Sequence, residues 1–144
     1  NKDNRTIYSL HGDGELQEGQ IWEAVMFAAH NKVDNLIATV DVNGQQIDGP
    51  LSKVLSLDSL EDKFKSFHWT VLHMNGHDME NILATLDKAK SLTGQGKPIC
   101  ILMKTEMGKG VDFMEGSHEW HGIAPNDEQL AKALSQLPET IGDY

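Results

Sequence analysis

Apolar positions along the chain change period several times, and each change marks an element. Thr6-Ile7-Tyr8-Ser9-Leu10 is a β-prone run that stops at His11-Gly12-Asp13-Gly14, which predicts a strand followed by a turn. From about Gln17 to Asn31, Ile21, Ala24, Val25, Ala28 and Ala29 recur at helical spacing, with Glu15 and Glu18 near the start, where the helix dipole favours anions. Asp34-Asn35 breaks that period. Leu36 to Val42 is then almost continuously apolar, as in a strand covered on both faces, so the three segments predict a βαβ unit.

The alternation repeats downstream. A loop rich in Gly, Gln and Asp runs from Asn43 to about Ser52, before a short helix expected near Leu60 to Phe67 and a strand over Trp69 to Met74. Asp78 stands as the N-cap of a helix striped by Met79, Ile82, Leu83, Leu86 and Ala89 that ends near Gly94. Pro98 to Met103 reads as a buried strand, whereas Glu106 to Pro125 shows no period, as in functional or disordered loops. Asn126 with Gln129 forms a capping-box start for a last helix carrying Leu130, Ala133, Leu134 and Leu137. The prediction is an α/β fold: a three-layer parallel sheet with helices on both faces and ligand sites at the carboxyl ends of its strands.

Composition narrows the class. The 144 residues suit one soluble globular domain, and 22 acidic against 12 basic side chains give a net charge of -10. That balance argues against nucleic acid and membrane surfaces as partners, and no apolar run is long enough to span a bilayer. Cys100 is the single cysteine, which excludes an internal disulfide and a multi-cysteine zinc site and fits a reducing, cytoplasmic setting. Asn1 to Thr6 lacks the apolar middle of a signal peptide, so the Asn4-Arg5-Thr6 sequon reads as a chance match.

Two polar residues carry the candidate chemistry. Asp13 follows the first strand and Asn43 follows the second, so one crossover brings both oxygens to the same sheet edge, a donor type that suits Mg²⁺. The flanking Gly12 and Gly14 let a backbone approach a phosphate, and the following helix points its free N–H groups at the same region. Gly12-Asp13-Gly14 alone is also compatible with a simple turn; Asn43 shifts the reading to a metal-diphosphate site. Gln17 stands where a dinucleotide fingerprint needs its third glycine, and no Gly-Lys-Ser/Thr follows. Spacing links none of His11, His30, His68 and His73 to a site, and no carboxylate set surrounds His118 and His121 as a metal pair. Lys104 and Lys109 give the long loop a cationic character suited to a phosphorylated sugar, although a solvated loop charge is the favoured reading of Lys109.

Gly12-Asp13-Gly14-Glu15-Leu16-Gln17-Glu18-Gly19, Trp22-Glu23-Ala24, Asp34-Asn35-Leu36-Ile37 and Asp41-Val42-Asn43-Gly44-Gln45-Gln46-Ile47-Asp48-Gly49 together resemble the thiamin-diphosphate motif of the transketolases. Asn75-Gly76-His77-Asp78 and Trp120-His121-Gly122 extend the likeness over nearly the whole chain. The resemblance implies thiamin diphosphate as cofactor, with Mg²⁺ (or Ca²⁺ or Mn²⁺) held by Asp13, Asn43 and the Gln45 carbonyl. It likewise implies that Gly12 and Gly14 approach the diphosphate, that Ile47 packs on the thiazolium ring, and that His121 reaches diphosphate and substrate. Glu18 matches an acidic position at the subunit interface, linked to the glutamate that activates the cofactor; a first-turn helix anion is the competing reading.

The implied activity is transfer of a two-carbon ketol unit from a ketose phosphate to an aldose phosphate, as in the pentose phosphate pathway. Alternatives are another thiamin-diphosphate enzyme, such as deoxyxylulose-phosphate synthase or a 2-oxo-acid dehydrogenase component, or a non-catalytic interaction module. Relative to the family pattern, residues 1–144 match only the C-terminal half of a diphosphate-binding domain, without the upstream half or the pyrimidine-binding domain. The expectation is therefore a trimmed chain, inactive alone, working with that N-terminal segment and a C-terminal domain or subunit in a homodimer or heterotetramer. The face bearing Glu18, Ile21 and Trp22 is expected to meet the neighbour.

Overall fold

The computed structural model describes residues 5–138; Asn4 of the sequon, and Asn1 and Tyr144, on which the expectation of a trimmed chain rests, lie outside them. In chain order the elements are β1 (Ile7–Gly12), α1 (Gly19–His30), β2 (Leu36–Val42), β3 (Gln45–Gln46), β4 (Gly49–Pro50), α2 (Leu51–Val54), α3 (Leu60–Ser66), β5 (Thr70–Asn75), α4 (Met79–Leu92), β6 (Ile99–Lys104) and α5 (Asp127–Gln136). The long strands form a parallel sheet of order β1-β2-β6-β5, and β3 and β4 make a small antiparallel hairpin. Gly12 pairs with Asp41, Asp41 with Met103, and Lys104 with Asn75, so all four carboxyl ends finish along one edge.

The central strands β2 and β6 bury apolar side chains on both faces, which is why their sequences alternate little. On one face Ala38, Val40, Cys100 and Leu102 meet Val25 and Ala28 of α1 and Phe64 of α3. Ile37, Met74, Ile99 and Ile101 meet Ala89 of α4 on the other. Helices thus cover both faces, as predicted. Burial pushes the Cys100 thiol up to about 12, so it behaves as a small apolar core residue.

Aromatic packing fixes α1 against the sheet. Trp69 donates its indole N–H to the Val25 carbonyl at 3.0 Å, and its ring meets Phe64 edge-on at 5.4 Å. Trp22 donates to the Leu16 carbonyl at 2.8 Å and lies 5.6 Å from Phe64. Ile21 and Trp22 therefore pack inward, unlike the partner-facing patch expected of them. The large outward apolar side chains of α1 are Met26 and Phe27, the latter 66% exposed.

Helix boundaries and stripes differ from the prediction in instructive places. Glu15–Gln17 forms a 3-10 turn and Glu18 is extended, so α1 starts at Gly19. Ala24 is exposed on α1, and on α4 Met79 and Leu83 are exposed while Thr85 and Ala89 are buried. Each helix meets the sheet along a line narrower than its apolar stripe. Asp78 and Asn126 cap α4 and α5 as predicted, Asn126 within a full capping box. On α5 only Ala133 is buried and Leu130 and Leu134 are exposed, because this helix packs on the loop after β6. The Asn43–Ser52 segment, expected as loop, contains β3, β4 and the start of α2. Among the described residues β1 borders only β2, and Leu10 is 69% exposed.

One close approach fastens the sheet's carboxyl edge. Gly76 donates its N–H to the Lys104 carbonyl at 2.8 Å, and a Cβ there would stand 2.5 Å from Thr105 Cγ2 and 2.8 Å from Met103 Cγ. Gly76→Ala is expected to cost about 1–3 kcal/mol through overpacking. Chemical denaturation of the assembled protein measures it; a variant as stable as the parent would show that the turn yields freely.

Candidate functional site

At the carboxyl edge the turn after β1, the end of β2, the β3–β4 hairpin and the loop after β6 enclose a cleft of about 450 Å³. Gly12, Asp13, Gly14, Glu18, Asn43, Gln45, Ile47 and His121 all line it, so every residue assigned to the site from the sequence lies on one surface.

Asp13 is the centre of this arrangement and only 1% exposed. Its Oδ1 accepts the Gly14 N–H at 2.9 Å and its Oδ2 the Gly44 N–H at 2.6 Å, while its own N–H is donated to the Asp41 carbonyl at 3.0 Å. Gly44 turns toward it with φ of 74°, a left-handed conformation that favours glycine. Asn43 Oδ1 accepts the Gln45 N–H at 2.8 Å, which bends the chain from β2 into the hairpin. The Gly14 N–H, which the resemblance directs at a diphosphate, is here committed to Asp13.

Burial holds the Asp13 carboxyl above its usual range; the Asp41 charge adds to this, and the backbone N–H groups of Gly44 and Gly14 oppose it. Glu15, beside the cleft, accepts the Gly12 N–H at 3.2 Å and sits 3.4 Å from His11 Nδ1. Glu18 is exposed at the N-cap of α1 and makes no side-chain capping bond.

The loop after β6 is ordered by its own contacts. Trp120 donates to the Phe113 carbonyl at 2.8 Å and its ring meets Phe113 edge-on at 5.3 Å. Lys132 of α5 lies 5.1 Å over Phe113 and 2.9 Å from Asp112. This packing sets the 3-10 turn His118–His121 against the hairpin, with His121 on the cleft. His118 lines a separate cavity of about 480 Å³ that it shares with Ile47 and Trp120. Lys109 is held by Glu115 at 2.9 Å and Glu106 at 3.3 Å, which accounts for its charge within the loop. Lys104 lies in another groove, with His73 and His77.

The donors suit a hard cation accompanied by an anionic ligand. They are the Asp13 carboxylate with the neutral oxygens of Asn43 and Gln45, and the described residues hold no group of three or more His, Cys, Asp or Glu placed for a metal. An ion there needs further anionic oxygens from outside the chain, which a diphosphate provides. The side-chain oxygens of Gln45 and Gln46 are buried without a partner, acceptors that a bound donor would satisfy. Ile47 adds an apolar surface at the mouth, 65% exposed.

Sequence reasoning missed Asp41 and Thr105. The Thr105 hydroxyl donates to the Asp41 carboxylate, which also borders the cleft. A charged residue inside an apolar strand was the available signal for Asp41; its partner lies 64 positions away.

Asp13 binds a proton more tightly folded than unfolded, so its contribution to stability is full below the unfolded carboxyl value near 3.8 and is lost as pH rises through the folded one. Without divalent cations, the melting temperature of the parent should fall relative to Asp13→Asn across that window. A difference that stays flat with pH would contradict the assignment of Asp13 as a carboxyl strained by burial.

Comparison with known proteins gives the family. Residues 2–139 match the family model for the transketolase thiamine diphosphate binding domain. The chain is 43% identical over 132 residues to the 6-deoxy-6-sulfo-D-fructose transketolase subunit SqwG of Clostridium sp. (strain MSTE9), covering 92% of this chain and 47% of that protein. It is 42% identical over 134 residues to an apulose-4-phosphate transketolase subunit of Phocaeicola vulgatus, covering 93% of this chain and 47% of that one. The chain thus spans about half the length of these relatives. Among solved structures, transketolase from Campylobacter jejuni superposes with a TM-score of 0.83 at 38% identity, over 92% of this chain and 20% of that one. The chain belongs to the transketolase family, within its thiamine-diphosphate-binding domain.

Proposed function

We propose that this chain supplies the cation and diphosphate side of a transketolase active site, and that its assembly transfers a two-carbon ketol unit from a ketose phosphate to an aldose phosphate. The observation that carries the reading is the meeting of Asp13, Asn43, Gln45, Ile47 and His121 on one cleft in a chain of this family. Asp13, Asn43 and the Gln45 carbonyl would hold Mg²⁺, or Ca²⁺ or Mn²⁺ in its place, and Ile47 would pack on the cofactor ring. Thiamin diphosphate, when bound, supplies the nucleophilic carbon and the electron sink for the transfer.

His121 reaches the cleft from the loop after β6, whereas Asp13 reaches it from the turn after β1. A neutral imidazole there donates to a phosphate or sugar oxygen through one nitrogen and takes or returns a proton through the other. Glu18, exposed at the start of α1, is positioned to meet a neighbouring chain. The relatives described as subunits support an assembly in which a second polypeptide completes the site, as a heterotetramer or, in a joined chain, a homodimer. Residues 1–144 then form the second half of the diphosphate-binding domain. The relatives' names also span a sulfonated sugar and a sugar phosphate, so the donor is best sought among phosphorylated and related anionic ketoses.

The test is a ketol-transfer assay on the protein in its native assembly, with a panel of ketose phosphates, ribose 5-phosphate as acceptor, and Mg²⁺ present or chelated. Transfer that requires both Mg²⁺ and thiamin diphosphate is expected. Asp13→Ala should reduce cofactor affinity by about a hundredfold or more, since a cation loses its charged protein ligand, and Asn43→Ala should do the same more mildly. His121→Ala should lower kcat by about a hundredfold or more with the fold intact. Cation-independent transfer, or variants that match the parent, would overturn these assignments.

A further inference from the structure

Thr105 is the first residue of the loop that carries His121, and it is tied to the other strand end of the cleft. Its hydroxyl donates to the Asp41 carboxylate and its N–H to the Val42 carbonyl at 3.3 Å. Against it stands Gly76, too close for a Cβ, and beside it the Glu106 N–H is donated to His77 Nε2 at 2.8 Å. Thr105 is thereby held from two sides. Asp41 links the two proposed cation ligands, because its carbonyl takes the Asp13 N–H at 3.0 Å and Asn43 lies two residues on in the chain.

We propose that Thr105 is a positioning residue for the cation site: its hydroxyl holds Asp41, and with it the geometry of Asp13 and Asn43. The proposal rests on the cation-diphosphate reading above. Half-buried Asp41 is a second carboxylate on a cleft whose cation ligand is Asp13. With one oxygen taken by Thr105, Asp41 keeps a fixed orientation. Without that donor the end of β2 loses its side-chain tie to the start of the loop after β6, and the Asp41 backbone that receives the Asp13 N–H and leads into Asn43 is no longer held. Valine has the same shape as threonine but cannot donate; serine can.

The experiment is a Mg²⁺ titration of thiamin diphosphate binding, read by calorimetry on the assembled protein, with unfolding of the unliganded protein measured alongside. Thr105→Val should raise the Mg²⁺ concentration for half-saturation about tenfold or more, and Thr105→Ser should stay within about twofold of the parent. Asp41→Ala should reproduce the Thr105→Val loss, and the double variant should lose no more than either single one. Should Thr105→Val fail to fold, Asp41→Ala against Asp41→Asn, which keeps an acceptor for the hydroxyl, carries the same comparison.

A Thr105→Val protein that titrates like the parent would overturn the proposal, as would equal losses for Val and Ser or additive losses in the double variant. A fall in unfolding temperature with unchanged Mg²⁺ affinity would assign Thr105 to stability alone and overturn it too. If the parent shows no Mg²⁺-dependent cofactor binding, the cation reading fails first, and the role of Thr105 falls with it.

Discussion

The carboxylate of Asp13, closed in by the N–H groups of Gly14 and Gly44, is the interaction on which the site depends. It joins the turn after β1 to the turn after β2, two segments that parallel pairing places side by side at the sheet's carboxyl edge. A carboxylate that is 1% exposed is costly unless it is hydrogen-bonded, and the two backbone donors offset part of that cost. The remainder persists as a proton affinity above the usual carboxyl range. In the proposed reading, a bound cation would relieve the same strain.

Around that point the structure separates rigidity from access. The aromatic set of Trp22, Phe64 and Trp69 fixes α1 and α3 on one face, and the Gly76 turn fixes β5 to β6. The cleft is lined instead by turns and loops carried on those elements, with His121 delivered by a loop braced through Phe113, Trp120 and Lys132. The residues that line the cleft are thus set by backbone that is packed elsewhere.

Much of this was legible in the sequence. The apolar runs of β2 and β6 announced buried parallel strands, and Asp78 and Asn126 announced their helices through capping chemistry, which is local. Asp13 and Asn43 could be placed together because a βαβ unit leaves little freedom in where its strand ends fall. Contacts set by tertiary approach were not legible: the hairpin at Gln45–Pro50, the inward turn of Trp22, the exposure of Met79 and Leu83, and the pairing of Thr105 with Asp41. Lys109 was legible only as a loop charge, solvated or facing a phosphorylated sugar, because its neutralising partners, Glu106 and Glu115, meet it only once the loop has folded.

The central claim is that Asp13 and Asn43 hold one cation for a diphosphate. A crystal structure of the assembled protein with Mn²⁺ and thiamin diphosphate, the ion located by anomalous scattering, tests it most directly. The account predicts a single peak with the Asp13 carboxylate, the Asn43 amide oxygen and the Gln45 carbonyl at about 2.0–2.2 Å, and diphosphate oxygens completing the shell. A cation bound elsewhere, or a cofactor seated with these oxygens turned away from it, would contradict the account.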